Sequence, residues 1–281
     1  MNLEEIKKQK STKELIEFGI INVDKPSGPT SFQTDEKIKK WLNLRKAAHF
    51  GTLDPKVTGV LPVALNRACK LSDYFMHKDK TYVGIMHLHK KIPRKKLEEE
   101  MKKFLGKIIQ LPPKKSRVKR QERQREIKKF EIIETKNQDV LFLAKVQAGT
   151  YIRKLCSDLG EQIGGAHMLE LRRTQAGIFK EQTTHTLYEI KEAIDEYNKG
   201  NEQPLRQLLI PAEIITEVLP ILECKEESIT ELLRGRPIYP HDLTTEEVPE
   251  KFCIFSGNKF IEVAKKVDEP GLTARPEFVF N

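Results

Sequence analysis

Asp54, in the stretch Ala48-His49-Phe50-Gly51-Thr52-Leu53-Asp54-Pro55, has the setting of a carboxylate presented into a cleft. An aspartate directly before proline is held extended, and Gly51 and Gly59 allow close backbone approach on either side. An isolated Asp-Pro pair more often just initiates a turn, so the local sequence leaves both readings open. Arg153, in Gly149-Thr150-Tyr151-Ile152-Arg153, falls in the first turn of an expected helix. There its guanidinium and the helix N-terminus can hold an anion, although an ordinary surface arginine has the same surroundings. A third stretch, Gly165-Ala166-His167-Met168-Leu169-Glu170-Leu171-Arg172-Arg173-Thr174, sets two arginines beside apolar residues. His87 and His89 alternate on an expected strand, and without further partners such histidines are satisfied sheet residues rather than metal ligands.

Charge is the second signal. The chain carries a formal +9, and Lys114 to Lys129 supplies most of it. That tract holds Lys114, Lys115, Arg117, Lys119, Arg120, Arg123, Arg125, Lys128 and Lys129 against Glu122 and Glu126, a net +7. Local cationic density of this kind suits phosphate binding through counterion release, and a solvated charge run is the alternative. Hydrophobic residues at 38% and charged residues at 32% describe a globular chain with a heavily charged surface. No apolar run approaches the roughly 20 residues that span a membrane, and the polar, lysine-rich Met1 to Lys13 is no secretory signal. Cys69, Cys156, Cys224 and Cys253 form no CxxC pair, which predicts reduced, buried thiols and a cytoplasmic location.

The elements that must position these residues are interleaved strands and helices. Gly19 to Val23 reads as a strand stopped by the turn cluster Asp24-Lys25-Pro26-Ser27-Gly28-Pro29. Thr30 or Ser31 caps a helix to about Leu42, and Thr81 to His89 is a strand. Pro93 opens a helix with Glu98–Lys102 and Glu99–Lys103 pairs and a stop at Gly106. Strands over Lys129 to Glu134 and Val140 to Gln147 are followed by a helix from Ile152 to Ile163. A strand from Met168 towards Phe179 and a helix from Leu187 to Tyr197 complete this part. Hairpins rather than βαβ repeats predict an α+β fold with a mixed, largely antiparallel sheet flanked by helices. Short Pro- and Gly-broken segments near the C-terminus predict a small β-rich second domain. The division falls at residues 1–215, with 1–17 as an N-terminal extension, and 216–281.

Together, Lys13 to Pro26, Ala48 to Val63, Gln147 to Gly160 and Gly165 to Thr174 resemble, in order and spacing, the TruB family of pseudouridine synthases. The resemblance is strongest to the archaeal and eukaryotic dyskerin branch, because Leu88 to Pro93 leaves little room for the longer bacterial insertion. It implies an RNA isomerase with Asp54 as catalytic aspartate, Tyr82 stacked on the target base, Arg153 paired with Asp54 and Leu171 packed in the pocket. It places His49 near the displaced nucleotide, and Lys25-Pro26 as a brace for the active-site loop. It implies tRNA, or a guide RNA with an rRNA target, as RNA partner, small H/ACA-type proteins as further partners, and no metal or organic cofactor. The C-terminal part resembles a PUA RNA-binding domain in abbreviated form. Ala48 and Phe50 stand where the family often has glycine, so Phe50 is expected to narrow the pocket or replace a base-flipping contact. A scaffold that has lost catalysis is the competing reading, opposed by the intact set Asp54, Tyr82, Arg153 and Leu171. A methyltransferase lacks support, since no Gly-rich nucleotide loop follows a strand.

Overall fold

The computed structural model describes residues 2–112, 119 and 121–281, so Lys114, Lys115, Arg117 and Arg120 lie outside the described residues. Two β-sheets organise the chain. The larger comprises β1 (Phe18–Lys25), β2 (Ala47–His49), β3 (Thr58–Asn66), β4 (Lys80–Leu88), β5 (Gly106–Gln110), β6 (Arg123–Lys136), β7 (Asp139–Val146), β8 (Ala166–Ala176), β9 (Phe179–Lys180), β10 (His185–Thr186) and β11 (Leu209–Pro211). Its main path is β10-β1-β3-β8-β4-β7-β6-β5. The pairs β1–β10 and β3–β8 are parallel and the other pairs antiparallel, which is the mixed sheet expected. The helices are α1 (Leu3–Gln9), α2 (Thr12–Glu17), α3 (Ser31–Trp41), α4 (Ser72–Met76), α5 (Arg94–Lys102), α6 (Ile152–Ile163), α7 (Leu187–Asn198), α8 (Gln203–Leu208) and α9 (Ile229–Leu233).

Strand burial follows from what covers each face. Successive side chains point to opposite faces. In β1, Ile21 and Val23 join a core with Ile38 of α3, Leu155 of α6 and Ile190 of α7. Phe18 and Ile20 enter a second core with Phe75 of α4 and residues of the smaller sheet. Covered twice, β1 is buried almost throughout. In β4 every other residue is buried and the rest are half-buried, because helices cover only one side there.

Several local expectations change. Thr58–Asn66 forms a central strand although Pro62 argues against one. Proline is tolerated because Pro62 contributes its carbonyl, to Phe50 N at 2.9 Å, where pairing with β2 ends. Gly106 opens β5 rather than stopping α5, whose cap is Lys103. The ion pairs along α5 are Arg94–Glu98 and Glu100–Lys103, not those read from the sequence. The N-terminal segment folds as α1 and α2 and buries Ile6 and Leu15, with a Ser11/Glu14 capping box starting α2. All four cysteines are buried free thiols. Burial pushes Cys69 up to about 11 and Cys156 up to about 12, which makes both poor nucleophiles.

The smaller sheet orders β12 (Ile221–Glu223), β13 (Lys251–Ser256), β14 (Lys259–Lys266) and β15 (Ala274–Val279) side by side. Phe18 of the large sheet stacks on Phe280 at 4.3 Å and meets Phe260 at 5.4 Å, so aromatic packing joins the two sheets. Within β14, Glu262 is 0% exposed and, among the described residues, neither carboxyl oxygen has a hydrogen-bond partner. Burial, reinforced by Asp242, pushes its pKa up to about 8. The unfolded chain therefore ionises this group from about pH 4.5 while the folded chain keeps it protonated. Stability present below pH 4.5 is lost as pH rises towards 8, a contribution on the order of 3–5 kcal/mol. Urea denaturation at pH 5 and pH 8 should show Glu262→Gln losing less stability across that interval than the parent chain. Equal losses would mean Glu262 titrates normally.

Candidate active site

The loop from Gly51 to Val57 is held at nearly every carbonyl it exposes to the protein. Ser31, at the start of α3, accepts from Leu53 N at 2.8 Å and donates to Leu53 O at 3.0 Å. Lys25 is fully buried at the end of β1 and donates from Nζ to Pro26 O at 2.7 Å and Pro55 O at 3.0 Å. Gly28 N also donates to Pro55 O, and Val57 N closes the turn onto Asp54 O. Lys25-Pro26 thus braces the loop through an ammonium on backbone carbonyls. Burial lowers the Lys25 pKa, and the Asp54 carboxylate partly offsets this.

At its exit the loop enters β3 beside β8, with Thr58 opposite Arg172 and Gly59 opposite Arg173. A Cβ on Gly59, whose φ is +99°, would lie 2.2 Å from Arg173 O, so this seam requires glycine. Arg173 itself is 1% exposed, and donates from Nε to Val60 O at 2.8 Å and from Nη2 to Gly51 O at 2.9 Å. It clamps both ends of the loop. Burial lowers its pKa, which the Tyr82 hydroxyl partly offsets. Lys80, also buried, donates to Met76 O and Lys78 O, and burial pulls it down to about 8.

Tyr82 lies opposite Arg173 across the β4–β8 ladder, and Leu171 sits two residues further along β8. Both are more than nine-tenths buried on the core side of the sheet. Arg153 reaches the loop from the first turn of α6, and its Nη2 pairs with Asp54 Oδ2. Gln110 fixes where that helix starts, accepting from Tyr151 N at 3.0 Å and donating to Tyr151 O at 3.3 Å. Asp54, Arg153, Tyr82 and Leu171 therefore gather at the β3–β8–β4 seam.

The pair is open to water. Side-chain exposure is 56% for Asp54 and 58% for Arg153. An ion pair this exposed is worth about 0–1 kcal/mol. The free protein therefore presents this carboxylate to solvent rather than enclosing it in a dry pocket. A cavity of about 510 Å³ includes none of these residues and is lined by Arg45, Lys46, Arg67, Lys70 and Phe278 among others.

His49 adjoins the loop but is committed to it: Nδ1 pairs with buried Asp35 at 2.6 Å and Nε2 with Thr52 Oγ1 at 2.9 Å. Phe50 does not line the site. It is 1% exposed and stacks on Phe75 at 4.8 Å in the second core, because it follows His49 and alternation turns it to the opposite face. Of the basic tract, Lys119 is exposed and Arg123 begins β6, opposite Gln110. Lys128 pairs with Asp79 and Lys129 with Glu131, so part of the tract's charge is neutralised within the fold. Sequence reading missed Lys80, which holds the turn just before its own strand. It also missed Ser31, Gln110 and the positioning role of Arg173, because each of these acts on backbone far away in sequence. Two arginines among apolar residues were the only trace of the last.

Known proteins match most of the chain. Residues 39–152 match the TruB family pseudouridylate synthase N-terminal domain, and residues 153–217 the tRNA pseudouridylate synthase B C-terminal domain. The "Probable tRNA pseudouridine synthase B" of Methanopyrus kandleri is 45% identical over 229 residues, 81% of this chain and 68% of that protein. Its counterpart in Pyrococcus abyssi is 46% identical over 225 residues, 78% of this chain and 67% of the relative. Among solved structures, a Cbf5-Nop10-Gar1 complex superposes with a TM-score of 0.89 at 38% identity, covering 98% of this chain and 88% of the other. An H/ACA RNP bound to a substrate RNA containing 2′-deoxyuridine gives a TM-score of 0.87 at 35% identity, covering 98% and 89%.

Proposed function

Because this chain belongs to the TruB family of pseudouridylate synthases, we propose that Asp54 carries its isomerisation of uridine to pseudouridine in RNA. The observation that supports this role is the Asp54–Arg153 pair on a loop clamped by Ser31, Lys25 and Arg173. Nearby carboxylates are already engaged, Asp24 by Arg172 at 2.9 Å and Asp35 by His49, which leaves Asp54 facing outward. The reaction breaks the bond from ribose C1′ to uracil N1 and forms one from C1′ to C5. C5 gives up a proton and N1 gains one, so the change is redox-neutral. The base must first leave its helix, at a cost of a few kcal/mol. Stacking on the Tyr82 ring returns about 1–3 kcal/mol and tolerates rotation of the freed uracil, while Leu171 closes the apolar side.

Substrate completes the site. A base over Asp54 and Arg153 displaces water, and their Coulomb attraction strengthens as the local dielectric falls. His49, held by Asp35 and Thr52, stands beside the vacated nucleotide position. RNA is held by phosphate contacts from the basic segment, with Lys114, Lys115, Arg117, Lys119, Arg120 and Arg123, and from the cavity rim at Arg45, Lys46 and Lys70.

The similar proteins are a probable tRNA pseudouridine synthase B and H/ACA assemblies, one of them a Cbf5 complex with Nop10 and Gar1. We extend both to this chain: a tRNA T-loop uridine, and a guide-selected rRNA uridine with small protein partners. Residues 1–215 act as the catalytic unit and 216–281 as a PUA-like RNA-binding unit. No described helix is long and apolar enough to cross a membrane, and the four buried thiols suit a reducing cytoplasm. The test incubates purified protein with a tRNA transcript, and separately with a guide RNA, target RNA and partner proteins, and maps pseudouridine. Product on tRNA alone is expected. Absence of product in both reactions would favour the catalytically silent scaffold.

A further inference from the structure

The uncovered face of the large sheet carries a group of side chains that uridine isomerisation does not use. His87 lies on β4, with His167 opposite it on β8 and Asp139 opposite it on β7. His89 follows two residues after His87. The sequence alone gave these histidines no partners; the strand order supplies them. Ring centroids are 5.1 Å apart for His89 and His167, 5.5 Å for His87 and His167, and 6.3 Å for His87 and His89. Three imidazoles bound tetrahedrally to one ion at about 2.0–2.1 Å would have centroids roughly 5 Å apart. The rings are thus already near the spacing a shared cation requires.

The nitrogens are disposed accordingly. His89 Nε2 and His167 Nδ1 face each other at 2.9 Å, and an ion between them would part them to about 3.3 Å. His87 turns Nδ1 to Asp139 at 2.6 Å, which leaves Nε2 as its ligating atom. A carboxylate on the second nitrogen is the usual means of orienting a metal-bound histidine. The backbone also keeps space for the His89 ring: a Cβ on Gly165, whose φ is +113°, would lie 2.3 Å from His89 Nδ1. His89 N donates to Gly165 O at 2.9 Å, pinning that strand end to the glycine. Among the described residues no three histidine, cysteine, aspartate or glutamate side chains stand placed to hold a metal ion, so the site requires side chains to turn. His89 and His167 are exposed and have room to do so.

We propose that His87, His89 and His167 form a surface site for a divalent transition-metal cation of the zinc class. Asp139 orients His87, and solvent fills the remaining position. Imidazole donors select zinc, nickel, copper or cobalt over magnesium and calcium. The site lies apart from the Asp54 loop. Tyr82 and His87 share β4 but occupy opposite faces, five residues apart in sequence.

The experiment uses the full chain without a polyhistidine tag, stripped with a chelator. Titration with Co²⁺, followed by its visible absorption, and with Zn²⁺, followed by calorimetry, should show one equivalent bound. The double variant His89→Ala/His167→Ala and the single variant His87→Ala should weaken binding at least about 100-fold. Asp139→Asn should weaken it by about tenfold or more. Circular dichroism checks that each variant is folded. Failure of the parent chain to bind Co²⁺ or Zn²⁺, or affinity of the double variant within about threefold of the parent, would overturn the proposal. Unchanged affinity in Asp139→Asn would remove Asp139 from the site.

Discussion

Asp54→Asn is expected to lower pseudouridine formation by at least about 10³-fold while fold and RNA affinity stay close to those of the parent chain. The substitution keeps the size and planarity of the side chain and removes only its charge. The loop does not depend on that charge, because Ser31, Lys25, Gly28 and Arg173 hold it by its backbone. The pair with Arg153 is more than half exposed on both sides, so its loss should change stability by no more than about 1 kcal/mol. RNA binding by the cations proposed above should lose nothing when one nearby anion is neutralised. Pseudouridine mapping, filter binding and thermal melting on one preparation separate the three quantities. Retained product, or collapse of RNA binding, would remove Asp54 from the chemistry.

Arg173→Met should reduce kcat/KM by about 100-fold, far out of proportion to its effect on melting temperature. Arg173 is buried and, among the described residues, has no carboxylate partner, so its charge is costly where it stands, and removing it relieves that cost. The two hydrogen bonds to Val60 O and Gly51 O are lost at the same time, and these opposing terms leave net stability little changed. Placement of the loop has no such compensation. Gly51 O and Val60 O flank the loop, and a displacement of about 1 Å at Asp54 is enough to cost two orders of magnitude. Arg173→Lys should recover only part of the rate, since one ammonium cannot reproduce the fork that spans both carbonyls. A fall in activity that tracks the fall in stability across both variants would make Arg173 a packing residue only.

Much of the proposed site was legible in the sequence. Asp54, Tyr82, Arg153 and Leu171 follow one another in that order along the chain, and the fold brings them to the β3–β8–β4 seam. Helix α6 could be bounded at Ile152 and Ile163 because Gly164-Gly165 follows it, and helix α3 at its start because Thr30 caps it. These are local effects: capping, turn chemistry and side-chain periodicity act within a few residues. Phe50 was misread for the complementary reason. Whether a residue in a loop faces a cleft or a core depends on which strand pairs beside it, here β3 alongside β2.

The sequence by itself determined that a carboxylate, an aromatic ring and an arginine occur in the order of an RNA isomerase, within an α+β chain. Only the tertiary structure decided that Arg173 and Lys25 clamp the Asp54 loop, that Asp54 lies open to water, and that His87, His89 and His167 come together. The physical reason is that those facts reside in hydrogen bonds and ring spacings between segments 30 to more than 100 residues apart. Residue type and local period carry no record of them. Asp54 remains the centre of the site, and its reach and exposure are properties of the sheet that holds it.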